Sequence, residues 1–305
     1  MIEYYLTLFA IALLSTWWIF KKVLRVAILK NIVDNPDARK FQKTPVPVLG
    51  GVAVFFGMVV AMTVTRLTFD TNSLYAIMGV MTVMLYTGTM DDILSLTPKT
   101  RFIIEILVVL FLISINNYSL NDFHGLWGIY QIPQWISVPL TVFACVGIIN
   151  AVNLIDGVNG LSSGYCIMAC VVFGYVFMIN DDKDAASLSV LSIGALLPFF
   201  CHNVFGKRSR MFIGDGGTLL MGTIISSLVI GALNVNSPVA EKVPADFGMI
   251  PFALAILAIP VFDCLRVMLA RIYRRKSPFS PDRTHLHHLF FDLGFSHVGV
   301  TGLIY

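Results

Sequence analysis

The sequence predicts an all-α fold, a polytopic transmembrane helical bundle. Of the 305 residues, 57% are hydrophobic and 13% are charged, whereas an average soluble domain has about 25% charged residues. The mean hydropathy is +0.80, and the apolar residues form continuous runs of helix length. The strands of an outer-membrane barrel would instead show segments of about ten residues with alternating polarity. These observations favour helices that cross a membrane.

Nine apolar runs are candidate membrane spans, each predicted as one helix. They are residues 4–20, 50–65, 74–90, 102–115, 135–152, 162–179, 188–205, 218–233 and 248–269. The first run is interpreted as a retained helix and not as a signal peptide, because no basic residue precedes it and Lys21 and Lys22 follow it. Residues 296–305 resemble the start of a tenth span, so we expect the chain to be truncated at its C-terminus. Residues 1–305 are predicted to form a single domain.

Alternating the sides of these spans divides the basic residues unevenly. Of the 21 Lys and Arg residues, three lie on one side, Arg66, Lys183 and Lys242, and all the others lie on the opposite side. The positive-inside rule makes the side that is rich in Lys and Arg cytoplasmic. The N-terminus is therefore expected outside.

Five polar clusters fall on the predicted cytoplasmic side. They comprise residues 34–43, 91–92, 150–159, 212–218 and 281–288. Charged and amide side chains at a membrane boundary are costly and usually mark a substrate or ion site. One site can therefore collect all five clusters.

The run NAVNLIDGVNGL at residues 150–161 is especially rich in amides. It places Asp156, Asn153 and Asn159 between two predicted spans, and its two glycines allow a tight turn or a close approach of a ligand to the backbone. A plain connector needs only a few residues and not this density of amides. The run is interpreted as part of a binding site, with a simple polar turn as the alternative.

Asp91 and Asp92 follow the third predicted span. Adjacent carboxylates repel each other, and in a partly desolvated place they need a nearby cation. Mg²⁺ suits this arrangement, since it commonly joins one or two carboxylates to a phosphate. The alternative is a solvated helix C-terminus, where the helix dipole disfavours acids. The pair is predicted to be functional.

The run FIGDGGT at residues 212–218 places Asp215 among glycines just before a predicted helix. Backbone amides at such a helix N-terminus, here around Gly214, can bind an anion, and an acid among them can hold a metal that bridges to that anion. The motif alone is weak, because it lacks the Lys-Ser/Thr of a P-loop and Asp is also a common N-cap. It gains weight from sharing the cytoplasmic face with the other acids.

The C-terminal stretch 274–288 joins a basic run to three histidines. His-rich tracts can bind zinc, but no thiol accompanies these, and the acids elsewhere suit magnesium. Phosphate recognition by Arg283, His285, His287 and His288 is therefore favoured. A topological stop signal would explain the basic run but not the histidines.

Three further polar features are given structural interpretations. Asp263 and Arg266 are three residues apart on a predicted helix and can pair, so an ion pair is at least as well supported as a catalytic role. Glu105 and His202 lie alone in predicted spans. Each is interpreted as a packed core group.

Several motifs together carry a family resemblance. They are DNPDARK (34–40), PVLGG (47–51), DD (91–92), NAVNLIDG (150–157), FIGD (212–215), PVFD (260–263) and SPFSPDRTHLHH (277–288). In this order they resemble the polyprenyl-phosphate N-acetylhexosamine-1-phosphate transferase family, glycosyltransferase family 4, over essentially the whole chain. The resemblance implies ten or eleven spans and transfer of a sugar phosphate from a UDP-sugar to a polyprenyl phosphate, with Mg²⁺ at the cytoplasmic face and release of UMP.

The His-Leu-His-His form at residues 285–288 is similar to the branch that primes O-antigen, enterobacterial common antigen or teichoic-acid-type polymers. This likeness implies transfer of GlcNAc-1-phosphate to undecaprenyl phosphate in a bacterial inner (plasma) membrane. The alternatives are the peptidoglycan-branch phospho-MurNAc-pentapeptide transferase, which usually has three consecutive histidines, and a proton- or ion-coupled secondary transporter. Two residues depart from the family pattern: Asn159 stands where many members have Asp, and Gln42 stands where His is frequent.

The resemblance and the residue chemistry together give a hypothesis for the site. Asp91, Asp92 and Asp156 are the predicted catalytic residues, and Asp215 and Asp91 are the predicted ligands of Mg²⁺, with Mn²⁺ as an alternative. Substrate binding is assigned to Lys40, Asn153, Asn159, Gly214, Arg283, His285, His287 and His288. Direct attack by the lipid phosphate and an aspartyl-phosphoryl intermediate both stay open. The expected partners are a UDP-N-acetylhexosamine, undecaprenyl phosphate and the lipid bilayer, without nucleic acid, and a homodimer is left open.

Overall fold

Each predicted span coincides with helical structure in the computed structural model, which describes residues 1–36, 44–65, 72–116, 118–123, 125–206, 210–243, 248–277 and 284–304. The helices are α1 (Ile2–Leu29), α2 (Gly50–Thr65), α3 (Asn72–Leu94), α4 (Pro98–Asn116), α5 (Gln134–Leu154), α6 (Leu161–Ile179), α7 (Lys183–Phe205), α8 (Gly214–Leu233), α9 (Pro238–Lys242), α10 (Met249–Ile256), α11 (Asp263–Tyr273), α12 (Leu286–Asp292) and α13 (His297–Ile304). The all-α class is confirmed. A two-stranded ladder, β1 (Val33–Asp34) with β2 (Val46–Pro47), was not expected.

The predicted number of nine spans is not confirmed. Within the described residues, five helices are long and apolar enough to cross a membrane, namely α1, α5, α6, α7 and α8 with its extension to Lys242. The pair α10 and α11 adds a sixth if it is counted as one span, and α2 is a shorter apolar helix. Length and composition therefore support a multi-pass membrane protein with five or six clear spans.

The prediction of one continuous helix over residues 248–269 is wrong. A π-helical turn, Ala258–Phe262, separates α10 from α11, and the two helices are bent by 72°. Pro260 lies in this turn. Proline has no N–H to donate to the preceding turn, and π-turns and prolines are the usual causes of sharp kinks. The break turns α11, with Asp263 at its first residue, away from the axis of α10.

Helix α8 is the centre of the bundle and packs against α2, α3, α5, α6 and α7. Its side chains are buried from Gly216 to the last residue, Leu233, as expected for a helix that is apolar on every side. Small residues let neighbouring backbones come close to a membrane helix, and here Gly51 of α2 and Gly88 of α3 lie against the first turn of α8. This packing fixes the position of Asp215.

The polar clusters collect at one end of the bundle, as predicted, for the residues that the structure describes. Lys40 and Arg283 lie outside the described residues. At the other end, Lys242 binds Asp181, with 2.5 Å between Lys242 Nζ and Asp181 Oδ2. The sequence placed Lys183 and Lys242 on the outer side. In the structure they lie at the opposite end of the bundle from Asp92 and Asp215.

Candidate active site

The N-terminus of α8 is capped by Asp92 from the end of α3. Asp92 Oδ1 accepts a hydrogen bond from the Asp215 N–H at 3.0 Å, and Oδ2 accepts one from the Gly216 N–H at 3.3 Å. A carboxylate at this position satisfies unpaired amides and interacts favourably with the helix dipole. In the structure these amides bind the Asp92 side chain, and the expectation that they bind a substrate anion beside Gly214 stays a prediction.

Gly214 explains how Asp92 comes so close. Its φ is +76°, a conformation that glycine adopts without strain. A Cβ atom at this position would lie 2.5 Å from Asp92 Oδ2. The structure therefore requires glycine here for backbone geometry, and the substrate contact assigned to Gly214 stays a prediction.

Asp91, unlike Asp92, meets Arg101. Asp91 Oδ2 lies 3.4 Å from Arg101 Nη1, and Oδ1 accepts the Leu96 N–H at 2.7 Å. The same guanidinium nitrogen lies 4.0 Å from Asp215 Oδ1. Arg101 is therefore a cation beside the acid pair, the binding of Mg²⁺ there stays a prediction, and the two adjacent aspartates have different partners.

Glu105, interpreted from the sequence as a packed core group, is packed as expected and also contacts the candidate site through Arg101. It is 0% exposed, and its Oε1 accepts a hydrogen bond from Arg101 Nε at 3.1 Å. Its Oε2 lies 2.5 Å from Asn150 Nδ2, and Asn150 Oδ1 accepts from Arg101 Nη2 at 3.3 Å. The spacing of four residues between Arg101 and Glu105 was a usable signal. The contact with Asn150 was not, because 45 residues separate it from Glu105.

Asn153 joins the 150–161 run to α8. Its Nδ2 lies 2.7 Å from Asp215 Oδ1 and 2.6 Å from Thr218 Oγ1. The Asp215 side chain keeps 38% of its surface exposed, so it is both held and accessible. The predicted convergence of these two clusters is confirmed.

Asp156 lies in the turn between α5 and α6 and accepts a hydrogen bond from the Ser162 hydroxyl. Burial raises the pKa of Asp156 to about 7, the bond from Ser162 opposes that rise, and the nearby charge of Asp215 adds to it. Asp156 can therefore be protonated near neutral pH and donate a hydrogen bond. Its charge interacts with that of Asp215 on α8, and the neighbouring Gly157 packs against His287.

The end of the same turn is held by backbone contacts. The Asn159 N–H lies 3.5 Å from His297 Nδ1, and the Asn159 carbonyl accepts from Thr301 Oγ1 at 2.9 Å. The neighbouring Gly160 N–H donates to Asn203 Oδ1 at 2.7 Å, and Asn203 Nδ2 donates to the Met211 carbonyl at 3.0 Å. Asn203, which the sequence reasoning did not select, thus joins this turn to the segment before α8. A substrate contact by Asn159 stays a prediction.

The backbone of the PVLGG run supports that same segment. The Phe212 N–H donates to the Pro47 carbonyl at 2.8 Å, the Gly50 N–H donates to the Phe212 carbonyl at 3.0 Å, and the Gly51 N–H donates to the Ile213 carbonyl at 2.8 Å. These bonds continue from the β1–β2 ladder. They hold the chain that leads into Asp215.

The predicted pair of Asp263 and Arg266 is confirmed, with 2.6 Å between Asp263 Oδ1 and Arg266 Nη2. Asp263 does more than form this pair. Its Oδ2 lies 3.0 Å from His285 Nδ1 and 3.1 Å from the Leu286 N–H, so it caps α12 and orients the first histidine. Arg266 also donates to the Thr284 carbonyl at 2.6 Å. The bent helix pair therefore positions the histidine segment.

His287 brings that segment to the 150–161 run. A Cβ added to Gly157 would lie 2.8 Å from His287 Nε2, so the ring packs directly on the turn that carries Asp156. His287 stacks parallel to His285 with ring centroids 5.9 Å apart, and it lies 4.3 Å from the His288 ring. Burial lowers the pKa of His287 to about 3, with smaller contributions from the neighbouring histidines. His287 is therefore a neutral imidazole at physiological pH.

The acidic side chains of the site have the chemistry to hold magnesium. Among the described residues, no three His, Cys, Asp or Glu side chains are arranged to hold a metal ion. Asp215 and Asp91 supply carboxylate oxygens of the type that Mg²⁺ prefers, and Mg²⁺ usually takes only one or two protein carboxylates with phosphate oxygens and water. The donor chemistry fits a metal that takes water for its remaining ligands in the free protein and phosphate oxygens once a substrate is bound.

The helices and this site define a multi-pass membrane protein with carboxylates, amides, a guanidinium and imidazoles gathered at one end. Residues 73–233 match glycosyl transferase family 4. The chain belongs to this family, the polyprenyl-phosphate N-acetylhexosamine-1-phosphate transferases.

Three relatives illustrate the similarity. The undecaprenyl-phosphate alpha-N-acetylglucosaminyl 1-phosphate transferase of Salmonella typhi is 30% identical over 296 residues, which cover 95% of this chain and 77% of the relative. The protein of the same name from Yersinia pestis is 30% identical over 89% of this chain and 73% of its own length. The probable undecaprenyl-phosphate N-acetylglucosaminyl 1-phosphate transferase of Bacillus subtilis (strain 168) is 30% identical, over 95% of this chain and 78% of its own length.

Proposed function

We propose that the protein transfers GlcNAc-1-phosphate from UDP-GlcNAc to undecaprenyl phosphate and releases UMP. The reaction takes place on the cytoplasmic face of a bacterial inner membrane and primes a cell-surface polysaccharide. Relatives from Salmonella typhi and Bacillus subtilis (strain 168), each 30% identical over 95% of the chain, are named for transfer of this sugar phosphate to this lipid. The observation that carries the proposal is the exposed Asp215 carboxylate, held by Asn153 beside Arg101 at the basic end of the bundle.

The reaction joins two phosphates. An oxygen of the lipid phosphate attacks the phosphorus that carries the sugar, a new P–O–P bond forms, and the bond from that phosphorus to UMP breaks with its electron pair leaving on UMP. A phosphate monoester has a second pKa near 6, so the lipid phosphate is mostly a dianion at neutral pH and needs little help from a base. Catalysis then depends on positioning and on stabilisation of charge.

Asp215 and Asp91 are the proposed ligands of the metal, Mg²⁺ or Mn²⁺. When bound with the sugar nucleotide, the metal would offset the charge that develops on the pyrophosphate oxygens. Asn153 orients Asp215 for this role, since its amide already donates to one carboxylate oxygen. Asp92 supports Asp215 from behind by capping α8. We therefore assign Asp92 to positioning and keep Asp91 nearer to the phosphates.

His287 and Asp156 are proposed to bind the substrate at a different part of the site from the metal ligands Asp215 and Asp91. Neutral His287 offers a ring N–H or a lone pair, and Asp156 in its protonated form offers an O–H donor. Neutral donors suit a site that binds several phosphate groups. They can orient the phosphate oxygens by hydrogen bonds, and no further charged side chain has to be removed from water. His285 is held by Asp263 and stacks on His287, which fixes the ring orientation.

A donor panel tests this proposal. Purified protein in vesicles that contain undecaprenyl phosphate is supplied with radiolabelled UDP-GlcNAc, UDP-GalNAc or UDP-MurNAc-pentapeptide, with Mg²⁺ or with a chelator. We expect label from UDP-GlcNAc in the solvent-extractable lipid only when Mg²⁺ is present. Label from UDP-MurNAc-pentapeptide alone would assign the peptidoglycan branch. Solute uptake driven by a pH gradient without any label transfer would contradict the enzyme and favour a transporter.

The same preparation separates the two chemical routes. A covalent aspartyl-phosphoryl intermediate predicts exchange of labelled UMP into UDP-GlcNAc without the lipid. Direct attack predicts no such exchange until undecaprenyl phosphate is added. We expect the second result, because Asp92 and Asp91 are bound by α8 amides and by Arg101.

A further inference from the structure

A part-buried network from α3, α4 and α5 surrounds the Arg101 guanidinium. Each of the three guanidinium nitrogens has an acceptor: Nε lies 3.1 Å from Glu105 Oε1, Nη2 lies 3.3 Å from Asn150 Oδ1, and Nη1 lies 3.4 Å from Asp91 Oδ2. Arginine presents its donors in a fixed planar fork. Three acceptors around one fork therefore fix where its charge lies.

The network is built to hold Arg101 from one side. Both oxygens of the fully buried Glu105 are engaged, one by Arg101 and one by Asn150 at 2.5 Å. The second hydrogen of the Asn150 amide goes to the Val146 carbonyl of its own helix at 2.9 Å. A buried carboxylate without a partner is strongly unfavourable. Glu105 and Asn150 thus bind each other, and both bind the guanidinium.

Two carboxylates approach the guanidinium from the other side. Asp91 and Asp215 come from different helices, and both lie near the same nitrogen, Nη1, at 3.4 and 4.0 Å. A positive charge near two carboxylates reduces their mutual repulsion. A divalent cation that joined these carboxylates to a phosphate would compete for the same negative charge. The position of Arg101 therefore bears directly on how the two aspartates receive a metal.

We propose that Glu105 and Asn150 are positioning residues that act through Arg101. They hold the guanidinium against α4 and α5. Its positive charge therefore stays near Asp91 and Asp215 but neutralises them only in part. The role of the metal in this inference rests on the proposed function. The new element is that Glu105 and Asn150 control how tightly the metal binds. Without Glu105, the guanidinium moves onto the aspartates and competes with the cation.

A double-mutant cycle with Mn²⁺ tests this inference without substrate. Free Mn²⁺ is followed by electron paramagnetic resonance during titration of the detergent-purified full chain. Arg101→Gln removes a charge about 4 Å from the aspartates, so Mn²⁺ should bind on the order of tenfold more tightly. Glu105→Gln should weaken Mn²⁺ binding several-fold. In the Arg101→Gln protein, the additional Glu105→Gln change should have no effect, because interaction between the two sites is what such a cycle measures.

Two further variants keep the test decisive. Ser192→Ala is the matched control for loss of a buried polar group, since Ser192 bonds the Leu188 carbonyl of its own helix, and Mn²⁺ binding should not change. Asn150→Ala removes one contact to Arg101 without leaving a charge unpaired, and it should weaken Mn²⁺ binding in the same direction as Glu105→Gln. It replaces Glu105→Gln in the cycle if that variant does not fold.

Equal effects of Glu105→Gln in the two backgrounds would overturn the inference, as would the absence of Mn²⁺ binding to the wild type. The outcome is separable from that of the proposed function. A wild type that transfers GlcNAc-1-phosphate while the two changes act independently contradicts only the positioning role. A wild type that shows the coupling but transfers no sugar phosphate contradicts the proposed function.

Discussion

The Asp92 carboxylate binds the backbone N–H of Asp215 at 3.0 Å, across the contact between α3 and α8. One member of the adjacent acid pair therefore serves the fold of the site, while the other, Asp91, meets Arg101 at 3.4 Å. The two aspartates follow each other in the chain and have different tasks.

The first prediction concerns this difference. Asp92→Asn replaces one acceptor oxygen with an NH₂ group at the α8 N-terminus, so it should destabilise the protein by about 1 to 3 kcal/mol, the usual effect of leaving a buried donor unpaired. Asp91→Asn, the matched control, should have a smaller effect on stability and a larger effect on kcat. Thermal unfolding in detergent and steady-state transfer measure the two effects. Equal changes in both variants would mean that the acids share one role.

The second prediction concerns Gly157. Gly157→Ala adds a Cβ that would lie 2.8 Å from His287 Nε2, so the ring must shift. We expect transfer to fall on the order of a hundredfold, because small displacements of positioning groups have such effects, with little change in melting temperature. Gly147→Ala on α5 is the control, since its added Cβ would meet none of the described atoms within 4 Å. Full activity of Gly157→Ala would remove His287 from the site.

The third prediction is a pH profile for His287. Its pKa is lowered to about 3, so the neutral form is present throughout the range from pH 5.5 to 8. His287→Asn should therefore reduce the transfer rate, and the ratio of the variant rate to the wild-type rate should stay constant across this range. The control is His202→Asn, which changes a histidine that stacks on Phe20, and it should keep most activity. A ratio that changes near pH 6.5 would show that the charged imidazolium is the working form.

The fourth prediction is a stability profile for Asp156. Its pKa is raised to about 7 by burial, so between the unfolded value near 4 and about 7 the folded protein binds more protons than the unfolded chain. Stability should then fall as pH rises through this window and level off above it. Asp156→Asn should lose this dependence, so its melting temperature should rise relative to wild type as pH increases. Parallel profiles of the two proteins would contradict the raised pKa.

Much of the fold could be predicted because the bilayer imposes simple patterns. Apolar runs located the helices, and the distribution of Lys and Arg placed the acids together. The break at Ala258–Phe262 was not predicted, because a proline inside an apolar run does not by itself mark a break: Pro260 lies in this one, but α5 and α7 continue through Pro139 and Pro198. The short β1–β2 ladder was not predicted either, because two-residue strands leave almost no periodicity to detect.

The sequence identified many residues of the site, but it did not predict most of the contacts between them. Asp215, Asn153, Asp156 and His287 converge as the sequence suggested. Glu105 was judged a core residue because it lies alone in an apolar run, and only the approach of α5 supplies Asn150 as its partner. The same holds for Asn203, whose partners Gly160 and Met211 lie on two different loops. Such pairings follow from helix packing, which local sequence does not specify.

The most direct measurement is transfer by Asp215→Asn in vesicles that contain undecaprenyl phosphate. The change removes the charge of the proposed metal ligand but keeps its size, and Asn153 and the Asp92 cap still have partners. We expect no label from UDP-GlcNAc in the lipid at any Mg²⁺ concentration, while the protein inserts and melts like the wild type. A variant that keeps most of the wild-type rate would contradict the placement of the reaction at the N-terminus of α8.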